Sequence, residues 1–264
     1  MRLASVLPIV ALSIATLAYP ADVQTVLASV RRQVETSDYR ATGQLVRVEP
    51  NGKRTPYAIA VKGLWFAGAL HMLVDLAPSK GSAADGQQGE RLRVLLEVSP
   101  DGHSSIRVFR PHGAEPMLLP FDKWNDGLLG GAFSYEDLLN AQYFWPGQTI
   151  LKTADFGSRH CYVLKSTPGS SARSHYSQVE TWLDRTIDYP VYTEKTLKEG
   201  GAVKDFTSYG LRQSDGVWSA TQVEARIRGR AGSTLLIVRR GSAKANLSAK
   251  DFSSAHVSQF EDRP

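Results

Sequence analysis

An amphipathic segment begins at residue 23 of the chain. Apolar side chains recur there three and four positions apart, the spacing of one helix face: Val23, Val26, Leu27, Val30 and Val34. Asp22 stands directly before this segment, where a helix N-cap would be. The pattern predicts one helix that ends near residues 36–38 and packs its apolar face on the rest of the protein.

From Tyr39 onwards the pattern changes to short alternating or continuous apolar segments separated by turn residues, which is typical of antiparallel sheet. Turns are expected at residues 50–52 (Pro-Asn-Gly) and 100–102 (Pro-Asp-Gly), and the second predicts a hairpin. The predicted strands cover residues 44–49, 57–66, 70–76, 91–98, 105–110, 161–165, 177–183, 191–197, 202–209, 218–227 and 234–239.

Two of these strands alternate clearly between apolar and polar positions. Val179, Thr181 and Leu183 oppose Gln178 and Glu180, and the stretch 222–227 follows the same rule. One face of the sheet is therefore expected to be solvated, and the other to be covered by helices or to enclose a cavity. Because no long helices alternate with the strands, the fold class is mainly β (α+β), with one strongly curved antiparallel sheet.

A short helix is predicted at residues 133–139. Ser134 stands at its N-cap and Asp137 three positions later, close to a capping box. Elsewhere, residues 78–90 contain almost nothing that could be buried and are interpreted as a long loop inserted into the sheet. No linker divides the chain, so we expect a single domain over residues 19–264.

The first 18 residues have the layout of a signal peptide. Arg2 precedes an apolar stretch at residues 3–18, which contains Pro8 and is shorter than the roughly 20 residues of a spanning helix. Cleavage after Ala18 would release a soluble, periplasmic protein, without an N-terminal lipid because no cysteine follows. A retained N-terminal anchor is the alternative.

The charge and the single cysteine exclude several classes of protein. The net charge of +5 is spread along the chain with no Lys/Arg block longer than two, which argues against nucleic-acid binding. Cys161 alone can form neither an intramolecular disulfide nor a redox pair.

The sequence contains no recognisable catalytic or phosphate-binding signature, and its six histidines have no ligand-like spacing. In His160-Cys161, adjacent strand side chains point to opposite faces, so a buried structural Cys161 is the better interpretation. For Glu136 and Asp137, helix capping is simpler than an acid–base pair. The expectation is a protein that is not an enzyme and needs no metal or cofactor.

Aromatic content points to an internal apolar pocket. The chain holds five Trp, ten Tyr and nine Phe. Most of these aromatic side chains would pack in the core. A curved sheet with few helices has more apolar inner face than they would cover, and the uncovered part favours a ligand cavity.

Several segments resemble the LolA/LolB-like superfamily of outer membrane lipoprotein-sorting proteins. They are Phe-Ser-Tyr-Glu-Asp-Leu at 133–138, Trp182-Leu183-Asp184, Pro190, Gly200 to Lys204, Trp218, and Ala249-Lys250-Asp251-Phe252. The resemblance spans about residues 22–256, whereas residues 78–90 and 111–145 are extra or divergent. It implies a half-open β-barrel capped by helices, with a hydrophobic concavity for acyl chains.

The resulting hypothesis is a periplasmic lipid or lipoprotein carrier, acting in outer membrane lipoprotein sorting. Its partners would be lipid acyl chains or a lipoprotein, and an inner-membrane transporter is a further partner that the resemblance leaves open. The alternative is a non-enzymatic envelope signalling or transporter-associated protein-binding module of the same fold. Strand phase does not say which face is inside, and the expected cavity residues are Trp65, Leu96, Val108, Trp182 and Val223.

Overall fold

The computed structural model describes residues 22–79, 91–111, 116–170 and 172–260. The expected signal peptide and most of the expected loop at 78–90 lie outside these residues. Within the described ranges, every helix is too short or too polar to cross a bilayer.

The predicted N-terminal helix is confirmed as α1 (Val23–Glu35), with Asp22 at its N-cap. Val26, Leu27 and Val30 are the buried residues of its apolar face. They pack against a cluster that includes residues of two distant strands, so tertiary packing holds this helix in place.

One antiparallel sheet of 13 strands dominates the described part of the chain. Its strands, in chain order, are β1 (Asp38–Val48), β2 (Arg54–Phe66), β3 (Ala69–Pro78), β4 (Leu92–Val98), β5 (Ser104–Phe109), β6 (Met117–Leu118), β7 (Gly147–Phe156), β8 (Arg159–Thr167), β9 (Tyr176–Asp184), β10 (Tyr189–Leu197), β11 (Val203–Ser214), β12 (Val217–Ile227) and β13 (Ser233–Ser242). The spatial order is β6-β5-β4-β3-β2-β1-β13-β12-β11-β10-β9-β8-β7.

Each predicted strand is present, and the described part of the chain contains two further strands, β6 and β7. β6 has only two residues, both exposed, and β7 is an edge strand with most of its side chains exposed or half-buried. Because an edge strand that is solvated on both faces needs no apolar alternation, its sequence lacks the period-two signal.

The sheet is open, with β6 and β7 at its two edges. These two edge strands are consecutive in the chain, so the connection between them at residues 119–146 must cross from one edge to the other. It contains α2 (Tyr135–Leu139) and three short 3-10 turns at Phe121–Lys123, Leu128–Gly130 and Ala141–Phe144. We call residues 119–146 the crossing segment.

The crossing segment covers the concave face of the sheet. Its buried residues share one apolar cluster with inward side chains of β1 to β5, β11 and β12. The crossing-segment members are Leu119, Trp124, Leu128, Phe133, Leu139 and Phe144. Near the other end of this face, α1 packs on Leu164 of β8 and Leu183 of β9.

The outer face is covered in one place by the C-terminal region. A 3-10 turn at Ala249–Phe252 and α3 (Ser254–Val257) bring Phe252 and Val257 against Leu73, Leu95 and Phe109. This region lies away from the concave face and does not enter the cavity described below.

Candidate functional site

A cavity of about 310 Å³ lies between the concave face and the crossing segment. Seven adjacent strands line it, from β3 through β2, β1, β13, β12 and β11 to β10, together with α2 and its neighbours. Its apolar lining includes Ile59, Val61, Met72, Val74, Phe133, Leu138, Phe206, Val223, Leu236 and Val238. This is the size and character of a small-molecule site.

The lining is not uniform along the strand order. On β2 and β3 it consists of aliphatic side chains, Met72 and Val74 among them. On β10, six strand positions away from β3, it includes Thr193 and Lys195, and Asp137 of α2 is nearby. The cavity therefore has an apolar flank on β2–β3 and a charged flank on β10.

Lys195 and Asp137, the charged residues of this flank, belong to a buried triad with Lys204. Lys195 Nζ lies 3.2 Å from Asp137 Oδ1, and Lys204 Nζ lies 3.2 Å from Asp137 Oδ2. All three side chains are at most 5% exposed. Lys195 and Lys204 stand directly opposite each other in the β10–β11 register. Like charges at such positions repel, and the Asp137 carboxylate bridges them.

Local capping holds the carboxylate in place. Ser134 is the N-cap of α2, and its backbone N–H and its hydroxyl each donate to Asp137 Oδ2 at 2.8 Å. The Tyr176 hydroxyl donates to Asp137 Oδ1 at 2.6 Å. The predicted capping box is confirmed, and the same carboxylate also serves the charged flank.

Asp137 stays ionised because its partners outweigh burial. Burial alone would raise the pKa of this carboxyl, but the ammonium groups of Lys195 and Lys204 and the bond from Tyr176 hold it well below its ordinary value. Burial, followed by the nearby Asp137 charge, raises the pKa of Tyr176 well above its ordinary value. The triad is thus one carboxylate between two buried lysines.

The lysines differ in what else they contact. Lys204 Nζ also donates to Asn125 Oδ1 at 2.8 Å and is not part of the cavity lining. Lys195 lines the cavity, and Asp137 is its polar partner within the described ranges. Its Nζ otherwise lies over the rings of Phe206, at 4.9 Å, and Tyr176, at 5.4 Å.

Glu136, the neighbour of Asp137, faces a different set of groups. Its carboxylate accepts from the Ser174 hydroxyl at 2.6 Å and from the backbone N–H of His175, whose Nδ1 lies 2.9 Å from Oε2. It is therefore satisfied away from the cavity, which it does not line.

Tyrosine side chains add weakly polar groups to the lining. Tyr39, Tyr143 and Tyr189 all contribute. Burial raises the pKa of Tyr39 to about 12 and raises the pKa of Tyr143 and Tyr189 above their ordinary value. These phenols stay neutral near pH 7, so the formal charges of the lining belong to Lys195 and Asp137.

The expected cavity residues fall into separate places. Val223 lines the cavity. Leu96 and Val108 are buried in the main apolar cluster, and Trp65 packs at its margin with its ring 6.3 Å from that of Phe144. These three residues face the concave side but lie outside the cavity lining.

The structure differs from the expectation at Trp182. Its chain neighbours Thr181 and Leu183 are fully buried on the concave side, so the side chain of Trp182 takes the outer face. There it makes an edge contact with Tyr192 at 5.0 Å, and Tyr192 stacks on Phe156. Strand phase alone cannot say which face is concave.

Lys195 and Lys204 are not among the expected cavity residues, but both stand at inward strand positions. Lys195 continues the inward phase of Val191 and Thr193, and Lys204 shares the phase of Phe206. Lysines at inward positions of two neighbouring strands indicate buried charges that need a partner of opposite charge.

The adjacent residues His160 and Cys161 lie in different environments. Cys161 is fully buried with a free thiol. His160 is exposed, and its Nδ1 lies 2.6 Å from Asp155 Oδ1. Burial raises the pKa of Cys161, which makes the thiol less reactive. Across the described ranges, no three His, Cys, Asp or Glu side chains gather into a possible metal site.

Comparisons with solved structures show the fold. The chain is similar to a domain from Vibrio parahaemolyticus that is named for outer membrane lipoprotein sorting, with a TM-score of 0.77 and 18% identity over 89% of this chain and 97% of that one. A DUF1329 family protein from Desulfovibrio piger gives a TM-score of 0.75 and 16% identity over 89% and 98% of the two chains. A LolA superfamily protein from Nitrosomonas europaea gives a TM-score of 0.66 and 15% identity over 90% of this chain and 100% of that one.

At the sequence level, no curated protein matches the chain. A family model described as "uncharacterized protein" matches residues 88–259, more than half of the chain. The protein therefore belongs to this family, and its fold is LolA/LolB-like.

Proposed function

We propose that this protein is a periplasmic carrier of lipids or lipoproteins that holds acyl chains in the cavity beneath the crossing segment. The observation that carries this proposal is the mainly apolar cavity that lies between the concave sheet and residues 119–146. The fold adds support, since similar structures include a domain named for lipoprotein sorting. The carrier unit would be residues 19–264, after removal of the expected signal peptide.

Binding of this kind needs no covalent chemistry. Each methylene that moves from water into an apolar cavity contributes about 0.8 kcal/mol. A carrier must also release its cargo, and release would follow from contact with a partner that offers a larger apolar site. A transporter of the inner membrane and an acceptor at the outer membrane are the partners that suit this cycle.

The carrier proposal is tested first by the cargo itself. Protein purified gently from the periplasm should carry lipid or acylated peptide, seen by native mass spectrometry and by extraction of the bound material. Purified protein that is free of such cargo, and that also fails to take up acyl chains in vitro, would contradict the proposal.

Val223 provides a site-directed test. Val223→Glu places a carboxylate in the apolar lining, and we expect it to reduce copurified lipid at least tenfold because the charge would have to be desolvated beside the chain. Val217→Glu is the matched control on the same strand, since Val217 is 43% exposed and lies outside the lining. Equal lipid content in folded Val223→Glu and Val217→Glu proteins would show that the cavity is not the binding site.

A further inference from the structure

The charged flank and the lysine behind it carry more positive charge than the binding of an acyl chain requires. Two buried ammonium groups, Lys195 and Lys204, share the single carboxylate of Asp137. Buried charges are costly unless they are paired and hydrogen-bonded. The nearby Glu136 carboxylate does not balance this excess directly, because its contacts are with Ser174 and His175.

Lys195 is the lysine of this pair whose side chain lines the cavity. It is 4% exposed, and its single polar partner in the described ranges is Asp137 Oδ1 at 3.2 Å. An ammonium group has three N–H donors, and the other neighbours of this one, the rings of Tyr176 and Phe206, offer no oxygen or nitrogen acceptor. A donor therefore remains for an anionic oxygen inside the cavity. Lys204, in contrast, uses both Asp137 and Asn125 and lies outside the lining.

We propose that the cavity binds a single-chain anionic amphiphile, with its carboxylate or phosphate on Lys195 Nζ and its chain toward the aliphatic flank on β2–β3. This inference rests on the proposed carrier function and narrows its ligand. A cavity of about 310 Å³ lies at the low end of ligand sites, which suits one chain rather than several.

The anion would complete the buried charge balance. Bound to Lys195, it brings the triad to two negative and two positive charges. Charge-assisted hydrogen bonds are strengthened where water is excluded. The neutral phenols of Tyr39, Tyr143 and Tyr189 elsewhere in the lining do not repel the anion. Met72 and Val74 line the flank where the chain would lie.

The test compares three probes with the same chain on delipidated protein: dodecanoate, dodecyl phosphate and dodecanol. By calorimetry, the wild-type protein should bind at least one of the two anions about tenfold more tightly than dodecanol, as one charge-assisted hydrogen bond would provide. The preferred anion identifies the headgroup. Equal affinity for all three probes would overturn this inference and leave the carrier proposal standing. Binding of none of them would count against the carrier proposal itself.

Two lysine variants form a matched pair. Lys195→Met should lose the preference for the anion, so that its affinities for the anion and for dodecanol differ by less than about twofold. Lys204→Met also removes one positive charge beside Asp137, but at a residue outside the lining. This variant should keep most of the preference for the anion over dodecanol. An equal loss of the preference in both variants would contradict the proposal, because net charge rather than a contact with Lys195 would then explain the preference.

Lys195→Arg is a third variant, which provides a measurement at this position if the methionine variants do not fold. It keeps the positive charge and should keep the preference for the anion. The comparison of the two anions with dodecanol uses wild-type protein alone, so its outcome does not depend on the folding of any variant.

Discussion

Asp137 illustrates how one side chain can serve a local and a distant purpose. The sequence predicts it as the third residue of a capping box, and the structure confirms its bonds to Ser134. The two lysines that it bridges come 58 and 67 positions later in the chain. A capping residue is recognised from its immediate neighbours, whereas no local pattern reports partners from two other strands.

Loss of the Asp137 charge should destabilise the fold strongly. Asp137→Asn leaves Lys195 and Lys204 opposite each other without a counter-ion, and breaking a buried pair in this way costs about 3–5 kcal/mol. Urea unfolding of the purified variant measures this loss. Asp122→Asn is the control, because Asp122 has a 73% exposed side chain and should change the free energy of unfolding by less than about 0.5 kcal/mol. Similar stabilities for the two variants would contradict the bridging assignment.

The strand pair β1–β13 joins the two halves of the sheet and also lines the cavity. Its register shifts between Thr42 and Gly43, where Gly43 opposes Val238. A Cβ atom on Gly43 would overlap the carbonyl oxygen of Ile237. The glycine therefore permits a close backbone approach at a bulge, which is one of the few reasons for glycine inside a strand.

Gly43→Ala should lower stability by about 1–3 kcal/mol, the usual cost of overpacking a tight contact. Gly241→Ala is the matched control on the partner strand, where a Cβ would lie 3.6 Å from the Arg40 carbonyl oxygen in ordinary contact. Thermal unfolding of both proteins measures the difference. A Gly43→Ala protein as stable as Gly241→Ala would show that the backbone can relax at the bulge without cost.

Local elements were the most predictable part of the molecule. α1, the capped α2 and the β4–β5 hairpin each carry signals within about a dozen residues, and all three are confirmed. β7 was missed because an exposed edge strand lacks the apolar alternation that marks the inner ones.

For the molecule as a whole, topology explains why a cavity exists. The strands on either side of the crossing segment, β6 and β7, are the opposite edges of the sheet. The chain between them has to pass over the concave face, and its short helices cover that face without filling all of it. The composition predicts surplus apolar surface, but no local pattern shows which segment covers that surface.

Acid should destabilise the whole protein, because carboxyls in several places have lowered pKa values. Burial alone would raise these values, but cationic partners outweigh it for Asp75 (Arg91, Arg93), Asp137 (Lys195, Lys204), Asp184 (Arg159) and Asp251 (Lys62). With pKa values lower in the folded than in the unfolded state, the folded protein binds fewer protons. Their stabilising contribution is complete above pH about 5 and is lost as pH falls toward 2 and below.

Urea unfolding midpoints at pH 7 and pH 3 test this direction, with a clear decrease expected at pH 3. Lys62→Met should shrink the decrease, because Asp251, whose pKa is lowered to about 2, would lose its lysine partner. Lys152→Met, at an exposed position of β7, should leave it unchanged. A midpoint that is the same at both pH values would contradict the assignment of these carboxyls.

The sequence by itself determined the elements: the amphipathic helix, the turns, the capping box and the two faces of each inner strand. These features depend on neighbours within a few residues and on the periods of helix and strand. Only the tertiary structure decided which face is concave, and so placed Val223 in the cavity and Trp182 outside it. It alone brought Lys195 and Lys204 to Asp137, because the partner of a buried charge depends on how distant strands and the crossing segment close on one another.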